Sequence, residues 1–209
     1  MLHYCFENFG LGEKECHLHC DNASGENKNK FMLAYLMWRT LTGKHSKINL
    51  HIQVPYHGKS LVDAGFAYIK KSYRRAEVDS LEQLASVVRK SARSNEVIVF
   101  GGADGEWLDW KTFTSEYFIP FKGIRKYRHF VFQADKPGIV LARELPDSPG
   151  TEVKLLKQRI DLDTIQPPNV IPAAGLSRER SEYLFKFIRP FVRAPHKDAV
   201  APSPDAQEE

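Results

Sequence analysis

The chain has 209 residues, 42% of them hydrophobic and 27% charged, with a formal net charge of +4. That suffices for one globular domain of ordinary size and excludes wholesale disorder, while the mild basicity permits nucleic acid as a partner without requiring it. Three cysteines, Cys5, Cys16 and Cys20, exclude a disulfide-built secreted scaffold. The longest apolar run, Phe31–Trp38, falls well short of the roughly 20 residues that cross a bilayer, so no membrane partner is expected. Residues 1–10 lack the basic and apolar regions of a signal peptide, and the expected location is nuclear or cytoplasmic.

Cys16-His17-Leu18-His19-Cys20-Asp21 alternates with period two and predicts a strand that ends at Asp21. Cys16, Leu18 and Cys20 share one face, and His17, His19 and Asp21 the other. Asn22–Gly25 predicts a turn able to cap a helix that runs to about Thr42, stops at Gly43 and is apolar on most sides. Residues 48–54 predict a second strand, with Ile48, Leu50, Ile52 and Val54 inward and Pro55 ending it. Residues 60–72 predict a helix with Phe66 and Ile69 inward, closing on Lys70, Lys71, Arg74 and Arg75. Residues 79–93 predict another, with Asp79 and Glu82 as a capping box and Leu81, Leu84 and Val88 inward. Alternation of this kind favours an α/β sheet.

The second half is less regular. Residues 97–100 suggest a short strand, and Trp107–Phe118 an aromatic helix whose Trp107, Trp110 and Phe113 belong to the core. Residues 126–133 and 138–143 predict a hairpin turning at Ala134-Asp135-Lys136-Pro137. Proline-rich 144–176 is expected to wrap the surface, 177–189 to form a last helix stopped by Pro190, and 194–209 to be a disordered tail. Residues 1–193 therefore read as one domain.

The chemistry is carried by carboxylates at strand and helix ends. Asp21 closes the first strand; His57 and Lys59 occupy the loop after the second; Asp63 lies in the first turn of the next helix. A strand–helix–strand crossover would bring these to one sheet edge, where ligands of α/β sheets bind. Mg²⁺ and Mn²⁺ prefer oxygen ligands, and two such ions about 4 Å apart can clamp a phosphodiester. Asp63 also stands at the third position of a Ser60-Leu61-Val62-Asp63 capping box, a purely structural use. Cys16, His17, His19 and Cys20 invite a zinc reading, but on a strand the cysteines and histidines point apart. Gly101-Gly102-Ala103-Asp104-Gly105 lacks the Gly-Lys-Ser/Thr of a phosphate cradle and reads as a turn. Lys70, Lys71, Arg74 and Arg75, and separately Arg125, Lys126, Tyr127 and Arg128, form basic clusters that suit a phosphate backbone or a solvated face.

At Asp21-Asn22-Ala23-Ser24-Gly25-Glu26-Asn27-Lys28-Asn29 the chain resembles the Asp-Asn-Cys-x-Gly-Gln-Asn-Lys-Asn signature of a large eukaryotic family, domain of unknown function 7869. The likeness continues through Tyr35–Gly43, His57-Gly58-Lys59 with Asp63 and Phe66, Lys71-Ser72-Tyr73-Arg74-Arg75, Lys126–Phe130, Asp135–Gly138 and Gly175–Arg180. Ala23 and Glu26 depart from the family's Cys and Gln, and Tyr56-His57-Gly58 from its Gly-His-Thr. That family looks like a transposon-derived, RNase H-like domain of the DDE type. The resemblance implies an RNase H-like mixed sheet with flanking helices, with Asp21 and Asp63 as catalytic residues holding Mg²⁺ or Mn²⁺. It implies metal-dependent DNA cleavage or strand transfer in the ancestor, with His57, Lys59, Lys70, Lys71, Arg74 and Arg75 meeting nucleic acid. The first acidic residue and the first strands of such a fold have no counterpart before Asp21. The isolated chain is thus expected to be inactive unless an upstream segment or a second copy completes it, or to serve as a domesticated, non-catalytic nucleic-acid- or protein-binding domain.

Overall fold

In a computed structural model the chain is described at residues 1–54, 61–100, 106–157 and 165–204. It divides into two compact units, Met1–Gly58 with Leu108–Ile171, and Lys59–Trp107 with Pro172–Glu209.

The first unit begins with helix α1 (Leu2–Asn8), strand β1 (Glu15–Cys20), helix α2 (Lys30–Leu41) and strand β2 (Lys47–Ile52). β1 and β2 are parallel, in a register that pairs His17 with Asn49 and His19 with His51. The second strand stops at Ile52, so Val54, expected inward, is 44% exposed. Helix α2 starts later than the turn at 22–25 suggested. Asn29 caps it, accepting from the Phe31 and Met32 amides through Oδ1. Its stretch from Leu33 to Thr40 is buried, as the all-round apolar pattern predicts.

The second unit opens with helices α3 (Leu61–Tyr73) and α4 (Leu81–Ser91). Of the residues expected to face inward, Ile69 and Val88 are half-buried, whereas Phe66 is 55% exposed and Leu81 57%, Leu84 is exposed, and Ala85 is the buried position of α4. The capping box sits one residue later than expected, Ser80 with Gln83, because the Gln83 side chain reaches back to the Ser80 and Asp79 amides. Residues 97–100 form no strand. Trp107 lies not in a helix but in the short strand β3 (Trp107–Leu108), and is 47% exposed.

Helix α5 (Trp110–Tyr117), capped by Asp109, returns to the first unit and buries Phe113. Strands β4 (His129–Gln133) and β5 (Ile139–Arg143) make the expected hairpin. Gly138 is required there twice over: its φ is +77°, and a Cβ would lie 2.6 Å from the Leu156 Cβ. The stretch 144–176 does more than wrap the surface. It adds strand β6 (Thr151–Lys154), paired antiparallel to β5, buries Leu155, Leu156 and Ile165, and supplies β7 (Val170–Ile171) to pair with β3. The final helix is shorter than expected: α6 (Arg178–Tyr183) passes through a π turn at Leu184–Ile188 before Pro190. Residues 194–196 form a 3₁₀ turn and Lys197–Val200 helix α7, after which Ala201 is fully buried.

The result is mixed α/β, a five-stranded sheet in the order β1-β2-β4-β5-β6 with flanking helices. β2 and β4 are antiparallel, so only β1 and β2 run together. One face of the sheet, Ile48, Leu50, Ile52, Phe130, Phe132, Val140 and Ala142, is buried in the cluster that holds α2. Helix α1 is tied to α2 by Arg39, which donates to Glu7 at 2.8 Å and to the Tyr35 hydroxyl at 3.1 Å. The opposite sheet face carries the alternate residues, polar at His17, His19, Asn49, His51, His129 and Arg143 and apolar at Val131, Ile139 and Leu141.

Candidate functional site

The signature loop between β1 and α2 is built by its own side chains. Asp21 Oδ1 accepts from the Ala23 amide at 3.0 Å and from Asn27 Nδ2 at 2.7 Å. Asn29 caps α2 with its oxygen and donates from Nδ2 to the Gly25 and Glu26 carbonyls, both at 3.0 Å. Lys28 is only 5% exposed and donates to the Arg125 carbonyl at 2.8 Å. Burial, with Arg128 nearby, holds its ammonium below the usual lysine range. Three of the signature's polar residues, Asp21, Asn27 and Asn29, thus satisfy loop and helix-end groups that would otherwise be orphaned. Asp21 itself is exposed just past β1, at the carboxyl end of the parallel pair.

Asp63 lies in the first turn of α3, in the second unit, whereas Asp21 belongs to the first. His57, Lys59 and the Ser60 of the possible capping box lie outside the described residues, as does the glycine-rich stretch 101–105. Among the described residues, no three His, Cys, Asp or Glu side chains assemble as a metal cage. The alternation of β1 explains why Cys16 and Cys20 do not join His17 and His19: the cysteines lean on the core while the histidines are exposed. Burial raises the pKa of both thiols.

Lys70, Lys71, Arg74 and Arg75 come together. With Ala67 they line an open groove of about 380 Å³ at the end of α3, and all four are exposed. Among the described residues none of the four pairs with a carboxylate. Other cations do: Lys126 with Glu144 at 2.9 Å, Lys136 with Glu152, and Arg193 with Asp79 and Glu77.

The outer face of the sheet holds the densest polar constellation. Strand register aligns His19, His51, His129 and Arg143 in one row across β1, β2, β4 and β5, with His17 and Asn49 in the row beside it. His17 Nδ1 lies 3.2 Å from His51 Nε2, and His51 Nδ1 lies 3.0 Å from His129 Nδ1. The ring centroids are 5.5 Å and 5.3 Å apart. In both pairs the centroid distance exceeds the N···N distance by 2.3 Å (5.5 − 3.2 and 5.3 − 3.0). That is about one ring's width, so the nitrogens, their rings and the line between them are close to collinear. Such geometry is an N–H···N hydrogen bond; a metal shared by two nitrogens would bend the line.

Asn49 Nδ2 lies 3.4 Å from His17 Nε2. With that amide donating, His17 donates from Nδ1 to His51 Nε2 and His51 from Nδ1 to His129 Nδ1; with the amide turned over, each of these bonds runs the other way. His19 stacks on His51 at 4.7 Å. Burial first, then the neighbouring His19, His129 and His17, lowers the pKa of His51; burial, then Arg128 and Arg143, lowers that of His129.

The family model described as Domain of unknown function (DUF7869) matches residues 13–145, more than half of the chain. The chain belongs to the DUF7869 family. Neither the curated proteins nor the solved structures contain a match to it. The matched segment of this DUF7869 domain begins just before β1 and ends just after β5, so it contains the signature loop and every residue of the histidine rows.

Sequence reasoning placed His17 and His19 outward but did not assemble the row. The missing signal was available in the second alternation, Leu50-His51-Ile52, which puts His51 on the outward face beside them. His129 and Arg143 required the pairing partner of β2, which no local pattern supplies.

Proposed function

We propose that this DUF7869 domain binds the phosphate backbone of nucleic acid, DNA foremost, as a non-cutting descendant of a transposon-derived, RNase H-like domain. The observation that carries the reading is the groove of Lys70, Lys71, Arg74 and Arg75, where four cations collect with no carboxylate partner among the described residues. The last turn of α3 and the two arginines just past it, charged in this way, attract a polyanion through counterion release, independent of its sequence. Binding to a fluorescent duplex, followed by anisotropy over a salt series with a chelator present, tests it. Each phosphate contact contributes about −0.9 to the slope of log K against log salt, so replacing all four cations by Gln should flatten the slope by roughly 2–4 and weaken binding at least ~10-fold. No binding by the parent chain, or an unchanged slope, would sink the proposal.

A second reading keeps the chemistry that the resemblance implies, with Mg²⁺ or Mn²⁺ held at Asp21. A carboxylate suits a hard cation that keeps several of its waters. What favours this reading is the place of Asp21, beyond the carboxyl end of a parallel strand pair, with Oδ2 unused by the loop among the described residues. The metal would neutralise charge on a phosphodiester. Cleavage that requires Mn²⁺ and is lost in Asp21→Asn would establish it and displace the non-cutting reading.

A further inference from the structure

We infer that the cleft over the histidine row of the sheet is a binding site for a nucleotide, gripped by its phosphate. The cleft lies within the first unit and encloses about 520 Å³. Its polar lining is His19, Asn49, His51, Gln53, Arg128, His129, Arg143 and Glu144, and its walls include Ile52, Val54, Leu145 and Pro146.

Three features select the ligand. The first is an excess of donors. Arg128 and Arg143 bring two guanidinium groups to the lining, beside the imidazoles of His51 and His129. Among the described residues neither guanidinium meets a protein acceptor. Fork-shaped guanidinium donors match the oxygens of a phosphate. The second is charge. The only carboxylate in the described lining is Glu144, and its charge is already met by Lys126 at 2.9 Å. With Arg128 and Arg143 against Glu144, the lining is therefore net cationic at neutral pH. The groups facing the row from each strand are His17 and His19 on β1, Asn49 and His51 on β2, Arg128 and His129 around the start of β4, and Arg143 and Glu144 around the end of β5. None but Glu144 opposes an anion. The third is size and shape. The cleft is far larger than a phosphate and falls within the ~300–1,000 Å³ of ordinary small-molecule sites, with apolar walls suited to a flat ring. A phosphate attached to a planar heterocycle satisfies all three.

The site uses none of the cations of α3, so it stands or falls apart from the backbone-binding reading. Titration calorimetry on the full chain tests it with AMP, inorganic phosphate and adenosine as probes. AMP is expected to bind, inorganic phosphate more weakly, and adenosine scarcely. Arg143→Gln and, as an independent variant, Arg128→Gln should each weaken AMP about tenfold or more, while Lys70→Gln/Lys71→Gln leaves it unchanged. A 5′-phosphorylated oligothymidine competing with AMP, when its unphosphorylated form does not, would assign the site to strand ends; competition by free nucleotides alone would assign it to the mononucleotide. No heat with millimolar AMP, equal binding of adenosine and AMP, or retention of AMP affinity in both arginine variants would overturn the inference.

Discussion

The two units of the chain solve the same problem with unequal means. The first surrounds α2 and one sheet face with a single apolar cluster containing eight fully buried large side chains on α2, β2, β4 and β5: Leu33, Leu36, Met37, Ile48, Leu50, Phe130, Phe132 and Val140. In the second, α3 has no buried residue, α4 has Ala85, and Val192 and Ala201 supply most of the rest. Leu61, Val62, Phe66 and Leu81 are more than half exposed there. Position in a sheet-backed core, not apolar character, decides which side chains are covered. The unit with little core is also the one that carries the cations at the end of α3, which have no carboxylate partner among the described residues.

The contrast can be broken by mutation. Phe132→Ala, at a fully buried site in β4, should cost about 3–5 kcal/mol in chemical denaturation, whereas Leu81→Ala in α4 should stay within roughly 0.5 kcal/mol. Similar losses at the two sites would mean that the second unit has a core as demanding as the first. Lys28→Met comes next, because it strands the Arg125 carbonyl; about 1–3 kcal/mol should be lost. Asn29→Ala removes the cap of α2 and should cost ~1 kcal/mol, while the corresponding Ser80→Ala in α4 tests whether a cap counts equally where little is buried. A difference between the two caps sharpens the comparison; equality weakens it.

Acid supplies a milder probe of the same asymmetry. The folded state lowers the pKa of His51 and His129 below the ordinary 6.5, so the unfolded chain binds protons that the folded chain refuses. Their burial imposes no penalty well above that value. Stability should fall as the pH drops from about 6.5 toward the lower folded pKa, and the fall should shrink in His51→Gln, read as melting temperature against pH. A pH profile identical in the variant would remove the histidine row as the cause. Smallest of all, Asp21→Asn should barely move the melt, since an amide oxygen can still accept from Ala23 and Asn27; Asp21→Ala should cost more.

Periodicity made the first unit legible. The alternations at 16–20 and 48–52 gave both parallel strands and their inward faces, and the turn residues at 134–138 gave the hairpin, because each rests on a local rule. Strand β6 was hidden among prolines, since Thr151–Lys154 pairs with β5 without an alternation strong enough to see alone. In the second unit, Phe66, Leu81 and Leu84 looked inward because helical spacing assumes an apolar partner for the face, and burial there did not follow. For the site, the sequence singled out the basic end of α3 and the outward histidines of β1. It read Asp21 as chemistry where the structure adds a use in the loop, and it missed the row because register between distant strands is a tertiary fact.

The imidazole chain on the sheet has a polarity. His17 and His51 each give one proton and take one, between Asn49 at one end and His129 at the other, so the whole series points one way at a time. A half-turn of the Asn49 amide would reverse every member, so that His129 offers the cleft N–H in one orientation and a lone pair in the other. No neutral ring can stand midway, because it would face its neighbour donor to donor or lone pair to lone pair. An anion in the cleft therefore selects one orientation of an amide two rings away, and a Lewis acid at the same nitrogen selects the other.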